Sequence, residues 1–174
     1  GSEPLAGFTR NHRWHYDGDA RKAAEETPAL NPILSVLRVD GDDGKIRALL
    51  VHFATHPTIL DADNMLISAE WPGALQQALE AAFPGAVALY CNGAEGDQSP
   101  DGAQGADAFA RVKAYGTRLA ERAQALAQGI KTEPNQPIGI VRVTPDLPPI
   151  GFSPGAAKGI YKFLEPAAKE ALPK

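Results

Sequence analysis

The sequence predicts an α/β domain in which a mixed β-sheet has helices on both faces. Residues 33–54 contain two apolar segments on either side of a turn-forming stretch, a pattern typical of a β-hairpin. A third apolar segment, residues 86–90, lies between two stretches with helical periodicity. The second strand of the hairpin is nearly all apolar, which favours burial of both its faces beneath helices.

The hairpin is the best-defined element of this pattern. Residues 33–39, Ile-Leu-Ser-Val-Leu-Arg-Val, form the predicted first strand, and residues 45–54 form the second. Between them, residues 40–44 read Asp-Gly-Asp-Asp-Gly, and these residue types accept the positive φ angles of a tight turn.

Two helices are predicted from apolar side chains at helical spacing. The first runs from Pro72, which suits a first helical turn, to about Phe83, and the second runs from about residue 105 to 127. Gly129 occupies the expected C-terminal cap of the second helix. The predicted apolar faces are Leu75, Ala78, Leu79 and Ala82 in the first helix, and Phe109, Val112, Leu119, Ala123 and Leu126 in the second.

The remaining segments complete a single predicted domain over residues 1–174, with its core at 33–144. Residues 1–32, rich in Gly, Pro, Asp and Arg, predict an irregular lead-in. Residues 61–70 and 92–101 predict loops, and residues 138–144 predict a further strand. Four prolines in residues 145–155 predict an extended segment, and a helical tail follows at 156–172.

The composition excludes several classes of protein. At 174 residues, with 44% hydrophobic and 22% charged residues, the chain can bury one core. Its net charge of −4 argues against a general nucleic-acid binder, and no apolar run is long enough to span a bilayer. The single cysteine, Cys91, excludes an internal disulfide framework.

Polar side chains follow two of the predicted strands. His56 comes directly after the second hairpin strand, and Ser99 lies in the loop after strand 86–90, so the two can share one site. His56 is interpreted either as a metal ligand or as a histidine bonded to loop backbone. Ser99 is interpreted either as a nucleophile or as a residue that stabilises a turn. The second interpretation stays open because its segment, Gly-Asp-Gln-Ser-Pro, is not the Gly-x-Ser-x-Gly elbow of serine hydrolases.

Neighbouring residues leave further alternatives open. Asp97 and Glu95 can bind a metal or cap a helix, and the backbone N–H groups of Gly93 and Gly96 can hold an oxyanion. The aromatic and histidine cluster at residues 12–16 is either a packed lid or a wall of the site.

Three ordered segments resemble a known family. They are Phe-Ala-Thr-His-Pro-Thr at 53–58, Leu-Ile-Ser-Ala-Glu-Trp-Pro-Gly at 66–73 and Asn-Gly-Ala-Glu-Gly-Asp-Gln-Ser-Pro at 92–100. Their order and spacing resemble the neutral/alkaline, non-lysosomal ceramidases, and more closely a bacterial branch of ceramidase-like amidohydrolases. Asn-His-Arg at 11–13 also fits that branch, and the similarity covers roughly residues 8–145.

The resemblance implies a zinc-dependent amidase that hydrolyses an N-acyl bond. His56 matches the family's metal-binding histidine, and Ser99 matches the active-site serine, for which a substrate-orienting role is favoured over a nucleophilic one. Asp97 is expected to support the catalytic loop. The residues expected to bind substrate are His12, Arg13, Asn92 and Gly96. The substrate is expected to be a lipid or another N-acyl small molecule, and the compartment periplasmic or secreted.

Departures from the family pattern refine these expectations. The family supplies another metal-binding histidine upstream, and a glutamate and a tyrosine downstream, which have no match here. The chain is therefore expected to be a section of a larger catalytic domain, with a second polypeptide as one source of the missing ligands. Residues 57–59 and 70–71 replace the Gly-Thr-Ser and Asp-Asn of ceramidases proper, which argues against ceramide itself as substrate.

Two alternatives remain from other classes. The chain can be a non-catalytic binding or assembly subunit that retains the fold. It can also be a metal-free serine hydrolase that uses Ser99 with His56 or His52.

Overall fold

A four-stranded mixed sheet and two helices form the centre of the fold. The computed structural model describes residues 1–11, 14–17, 20–23, 31–62, 64–96, 98–134, 136–137 and 139–146. The chain divides into two compact units, Gly1–Pro134 and Asn135–Lys174. In chain order the elements are β1 (Ser2–Pro4), β2 (Thr9–Asn11), β3 (Trp14–Asp17), β4 (Ala20–Ala23), β5 (Ile33–Asp40), β6 (Ile46–Phe53), α1 (Glu70–Ala82), β7 (Val87–Asn92), β8 (Gln98–Pro100) and α2 (Ala108–Gly129).

The main sheet has the strand order β1-β5-β6-β7 and combines antiparallel with parallel pairing. β5 and β6 form the predicted antiparallel hairpin, and β7 lies parallel to β6 after the crossover through α1. Gly44 has a φ of 73° in the hairpin turn, as its position predicts. The predicted mixed α/β sheet is therefore confirmed.

The lead-in is more ordered than the sequence predicts. β1 pairs with β5, β2 pairs with β8, and β3 pairs with β4, all antiparallel. The prediction of an irregular lead-in is therefore wrong for the residues of these four strands, while residues 12–13, 18–19 and 24–30 lie outside the described chain. Strands of three or four residues are too short to show a periodic apolar pattern. β1 and β2 pair with strands distant in sequence, whereas β3 and β4 pair with each other.

Both helices pack on the same face of the main sheet. Trp71, Leu75 and Leu79 of α1 are buried in one cluster with the inward side chains of β5 and β6. α2 adds its own buried side chains to this cluster: Val112, Tyr115, Leu119, Ala120, Ala123 and Ala127. The inward sheet residues are Leu34, Val36, Leu49, Val51 and Phe53.

The opposite face of the sheet carries apolar side chains that no described element covers. Leu37, Val39, Leu50, Val87 and Leu89 are between 36% and 56% exposed. The strands thus carry apolar side chains on both faces of the sheet, as the sequence predicts. The helices in the described part of the chain, however, cover only one of these faces.

The helix ends differ slightly from their predicted positions. α1 begins two residues before Pro72, and α2 begins at Ala108, where the Asp107 side chain accepts a hydrogen bond from the Ala110 amide at 2.7 Å. Phe109 is 46% exposed rather than part of the core. Gly129 is the last residue of α2, so the predicted glycine cap is wrong and Ile130 ends the helix in extended backbone.

The second unit has no regular structure in its described part. Residues 139–144 form no strand, so the predicted strand there is wrong over these residues, and residue 138 lies outside the described chain. Ile140, Val141 and Val143 are exposed. The predicted tail helix and most of the proline-rich segment also lie outside the described residues. None of the helices in the described ranges meets the length and apolarity needed to traverse a bilayer.

Arg38 joins β5 to the C-terminal end of α2. Its guanidinium donates to the carbonyl oxygens of Ala127 at 2.9 Å and Ile130 at 3.4 Å, and it donates two further bonds to the Asp40 carboxylate at 2.7 and 2.9 Å. The Arg38 side chain beside it holds the pKa of Asp40 below its ordinary value. The helix end therefore depends on a cation that is itself fixed by a carboxylate.

We expect Arg38→Ala to lower the free energy of unfolding by about 1–2 kcal/mol, because two carbonyl oxygens at the end of α2 lose their charged donor. Urea denaturation measures this change. Arg47→Ala is the matched control, because Arg47 forms an exposed pair with Asp43 at 2.9 Å, and we expect a change of about 0.5 kcal/mol or less. Equal effects of the two substitutions would contradict a special role for Arg38.

Candidate functional site

The candidate site lies where two parallel strands end. β6 and β7 run in register, with His52 beside Cys91 and Phe53 beside Asn92. The loops that follow them leave the same edge of the sheet, which is where α/β folds commonly bind ligands. The Gly93 amide donates to the Phe53 carbonyl at 3.1 Å and keeps the two loops together as they leave the strands.

Close contact between these loops requires glycine at position 93. A Cβ atom there would lie 2.8 Å from the Ala54 Cβ atom, 3.1 Å from the Ala54 Cα atom and 3.0 Å from Nε2 of His52. Any side chain at this position would therefore separate the two strand ends.

His56 is held through its backbone. Its amide donates to the Gln98 carbonyl at 2.9 Å, and its carbonyl accepts hydrogen bonds from the Trp71 indole at 3.1 Å and the Thr58 amide at 3.0 Å. The imidazole is about one-third exposed, and its Nδ1 atom lies 3.6 Å from Oε1 of Glu95. The main chain is therefore rigid at this residue, while the side chain remains accessible to a ligand.

Glu95 gives this histidine a carboxylate neighbour. The 3.6 Å separation is too long for a hydrogen bond but places the two groups within ion-pair distance when the imidazole is protonated. A carboxylate beside one ring nitrogen favours presentation of the other nitrogen to a metal. The sequence pattern allowed a metal or capping role for Glu95, but only the structure identifies its neighbour.

The described residues do not form a zinc site by themselves. His56 and Glu95 are two potential donors, whereas a catalytic zinc takes about three protein ligands. No group of three histidine, cysteine, aspartate or glutamate side chains suited to a metal is found in the described part of the chain. Residues beyond this part must complete any such site.

Ser99 lies on β8, next to the loop that carries His56. Its β-strand partner is Arg10 of β2, and the Thr9 hydroxyl lies 3.3 Å from the Ser99 carbonyl and 3.2 Å from the Thr55 hydroxyl. Ser99 lines a cavity of about 180 Å³ together with Thr58, Ile59, Pro100, Ala103 and Arg111. Thr58 follows His56 by two residues, so the two predicted site segments meet at one edge of the fold.

Gln98 anchors the loop between β7 and β8. Its side chain is buried, donating to the Ala94 carbonyl at 2.9 Å and accepting from the Asn31 amide at 3.1 Å. Its own amide donates to the Glu95 carbonyl at 2.7 Å. The motif Gly-Asp-Gln-Ser-Pro gave no sign of this role, because the partners of Gln98 are backbone groups.

The other predicted site residues differ in how far the structure describes them. Asn92 is exposed, and its Oδ1 atom accepts a hydrogen bond from the Tyr90 hydroxyl at 2.8 Å. Burial raises the pKa of Tyr90, so the phenol stays protonated and donates at the strand end. Gly96 is exposed in the loop. His12, Arg13 and Asp97 lie outside the described residues.

The start of α1 fixes the loop after His56 from the other side. The Glu70 carboxylate accepts bonds from the Leu60 amide at 2.6 Å and the Trp71 amide at 2.7 Å, while buried Trp71 bonds the His56 carbonyl. Glu70 has a φ of 55°, and Asp61 has a φ of 61°. Both are costly conformations for residues other than glycine, and they border a second cavity of about 270 Å³.

Glu70 and Trp71 are the residues that replace the Asp-Asn pair of ceramidases proper. From the sequence alone, this replacement indicates only that the substrate differs from ceramide. The structure gives it a local role, since both side chains hold the segment that carries His56.

The fold matches solved ceramidase structures. Neutral ceramidase from Pseudomonas aeruginosa superposes with a TM-score of 0.60 at 22% sequence identity, over 74% of this chain and 22% of that one. A ceramidase solved in complex with C2 superposes with a TM-score of 0.61 at 23% identity, with the same coverage. The chain has a ceramidase-like fold. The resemblance inferred from three sequence segments is confirmed at the level of the fold.

This ceramidase-like chain spans about one-fifth of the length of the ceramidases that it matches. No protein-family model matches the sequence, and no curated protein matches it. The likeness that these comparisons show is therefore one of backbone geometry.

Proposed function

We propose that residues 1–174 form a section of the catalytic domain of an amidohydrolase that cleaves N-acyl bonds. The observation that supports this most directly is the meeting of the His56 and Ser99 segments at the ends of two parallel strands in a ceramidase-like fold. Strand ends of this kind present side chains to a shared cavity on a rigid sheet.

Ser99 is proposed to orient the substrate. Its segment borders the cavity that also contains Thr58 and the Arg111 side chain, so hydroxyl and guanidinium groups are available to a polar part of the substrate. Asp97 is proposed to support this loop. His12, Arg13, Asn92 and Gly96 are proposed to contribute to substrate binding around it.

His56 is proposed as one ligand of a zinc ion that is completed by groups outside the described residues. Zinc in such a site would supply a water molecule with a pKa of about 7 as the attacking group. Glu95 would hold the imidazole in its binding orientation from the Nδ1 side. Since the described residues alone do not fit a zinc ion, the complete site is proposed to take its other ligands from outside them.

The proposed substrate is a lipid or other N-acyl compound rather than ceramide itself. The residues at 57–59 and 70–71 depart from ceramidases proper, and the structure places both segments beside His56. A periplasmic or secreted location is proposed on the same ceramidase resemblance.

The test is hydrolysis of N-acyl amines, N-acyl amino acids and ceramide by the native protein that contains these residues. We expect activity on at least one N-acyl class, and we expect Ser99→Ala to lower kcat/KM by about 100-fold or more through loss of substrate orientation. Glu121→Ala, an exposed change on α2, serves as the control. Absence of amide hydrolysis across the panel, or full activity of Ser99→Ala, would contradict the proposal.

A non-catalytic subunit is the second candidate, favoured by the incomplete ligand set among the described residues. An upstream histidine motif and downstream glutamate and tyrosine in the native protein would favour the enzyme. A metal-free serine hydrolase is separated from both by a chelator, which should leave its activity intact.

A further inference from the structure

The uncovered face of the main sheet carries a row of apolar side chains of the kind found in protein cores. Leu37 and Val39 of β5 lie across from Leu50 and Ala48 of β6, which in turn lie beside Leu89 and Val87 of β7. Strand geometry places these side chains on one face, opposite the face covered by α1 and α2. We call the five exposed members, Leu37, Val39, Leu50, Val87 and Leu89, the outer apolar face.

Two physical features show that this face is made for burial. Contiguous exposed apolar patches of this kind mark interaction surfaces in folded proteins. Leu37, Leu50 and Leu89 also lie side by side across β5, β6 and β7, so the apolar patch is continuous over three strands.

We propose that the outer apolar face is the docking surface for another layer of a ceramidase-like domain, formed by polypeptide outside residues 1–174. The ceramidases that match this chain are covered over only 22% of their length, so most of such a fold has no counterpart here. A protein layer with its own apolar side chains fits a flat sheet face, since sheets pack face to face or against helices.

The face is continuous with the candidate site. Following β6 and β7 from Leu50 and Leu89, the next side chains on this face are His52 and Cys91, which lie at the strand ends that lead to His56. A layer that covers the face therefore ends beside the site and can deliver the side chains that the site lacks. The docking surface itself rests on the fold and the exposed side chains, so it does not depend on the proposed reaction.

A lipid surface fits this face poorly. The sheet end next to Val39 and Val87 carries Asp40, Asp42 and Asp43, and the neighbouring cations Arg38, Lys45 and Arg47 equal them in number. This rim therefore has no positive excess, whereas an anionic membrane attracts a surface with a basic rim. A protein partner has no such restriction.

Cys91 is a natural reporter for this surface, because it is the only cysteine among residues 1–174, it is exposed and it lies at the end of the face. The labelling rate of Cys91 itself, followed on its own peptide by mass spectrometry, is compared between chain 1–174 alone and the native protein purified whole from its source. We expect labelling at least about ten-fold slower in the native protein. In a Cys91→Ser background, a thiol introduced by Glu121→Cys on the helical side is expected to label at similar rates in both.

The outcomes separate the possible occupants. Equal labelling of Cys91 in both proteins, or equal protection of both thiols, would overturn the proposal. Protection in chain 1–174 alone that rises with its concentration, together with a dimer mass in sedimentation, would assign the face to a second copy and also overturn it. Protection that requires added anionic vesicles would assign it to lipid, with the same consequence.

A substitution gives a second measurement. Leu89→Glu should leave the thermal unfolding of chain 1–174 nearly unchanged, since Leu89 is half exposed, but should release the covering layer in the native protein and restore fast Cys91 labelling. Leu89→Met should retain the protection. If amide hydrolysis fails while Cys91 is protected, the proposed function is lost and the docking surface stands.

Discussion

His56→Ala should reduce N-acyl hydrolysis by the native protein about a thousand-fold, or roughly 4 kcal/mol of transition-state stabilisation. The imidazole is the one predicted metal ligand that the structure places at the strand ends, with a rigid backbone and a carboxylate neighbour. The zinc content of the purified protein should fall in parallel, because a three-ligand site that loses one ligand binds metal weakly. Steady-state kinetics and elemental analysis measure the two effects.

The fold should survive this substitution. The backbone bonds of residue 56 to Gln98, Trp71 and Thr58 do not use the imidazole. We therefore expect circular dichroism and thermal unfolding close to those of the parent. Arg47→Ala at the opposite end of β6 is the activity control and should retain full turnover. An active, zinc-replete His56→Ala variant would exclude His56 as a ligand.

Gly116→Ala should lower the free energy of unfolding by about 2–3 kcal/mol. Gly116 lies on α2 where α1 crosses it. An added Cβ atom would lie 2.5 Å from the Trp71 carbonyl oxygen, 2.6 Å from the Ala74 Cβ atom and 2.9 Å from the Leu75 amide nitrogen. Two of these are backbone atoms that cannot move aside, so α1 must shift away from α2.

The expected loss is smaller than the clash alone would suggest, because alanine stabilises a helix interior by about 1 kcal/mol relative to glycine. Gly129→Ala on the same helix supplies the control, since a Cβ atom there meets nothing within 4 Å. Urea denaturation should show that variant to be unchanged or slightly more stable. A Gly116→Ala protein as stable as its parent would show that the two helices do not make this close contact.

The elements that the sequence predicted well are those with a long apolar period. The hairpin of β5 and β6 and the face of α1 around Leu75 and Leu79 follow directly from alternation and from 3.6-residue spacing. The expectation that His56 and Ser99 approach one edge also followed from local rules, because both segments leave strands that were recognisable as apolar runs.

Several of the elements that were missed depend on partners distant in sequence. β2 and β8 are three-residue strands that pair across some 90 positions, and no local pattern marks them. Gln98 and Trp71 act on the site through bonds to backbone carbonyls, and Glu95 acts through the His56 imidazole, and residue identity reveals neither kind of contact. The segment predicted as a strand at 138–144 has a composition typical of strands. Strand propensity, however, depends on packing against a neighbouring strand, and no strand pairs with the described residues of this segment.

Anomalous diffraction at the zinc edge, from crystals of the whole native protein, is the most direct measurement of whether two strand ends build one metal-assisted hydrolytic centre. The expected result is a zinc ion about 2.1 Å from an imidazole nitrogen of His56, in a cavity that the Ser99 hydroxyl also lines, with its other ligands from outside the described residues. Zinc bound at a site remote from His56, or a Ser99 hydroxyl that opens onto a different cavity, would contradict it.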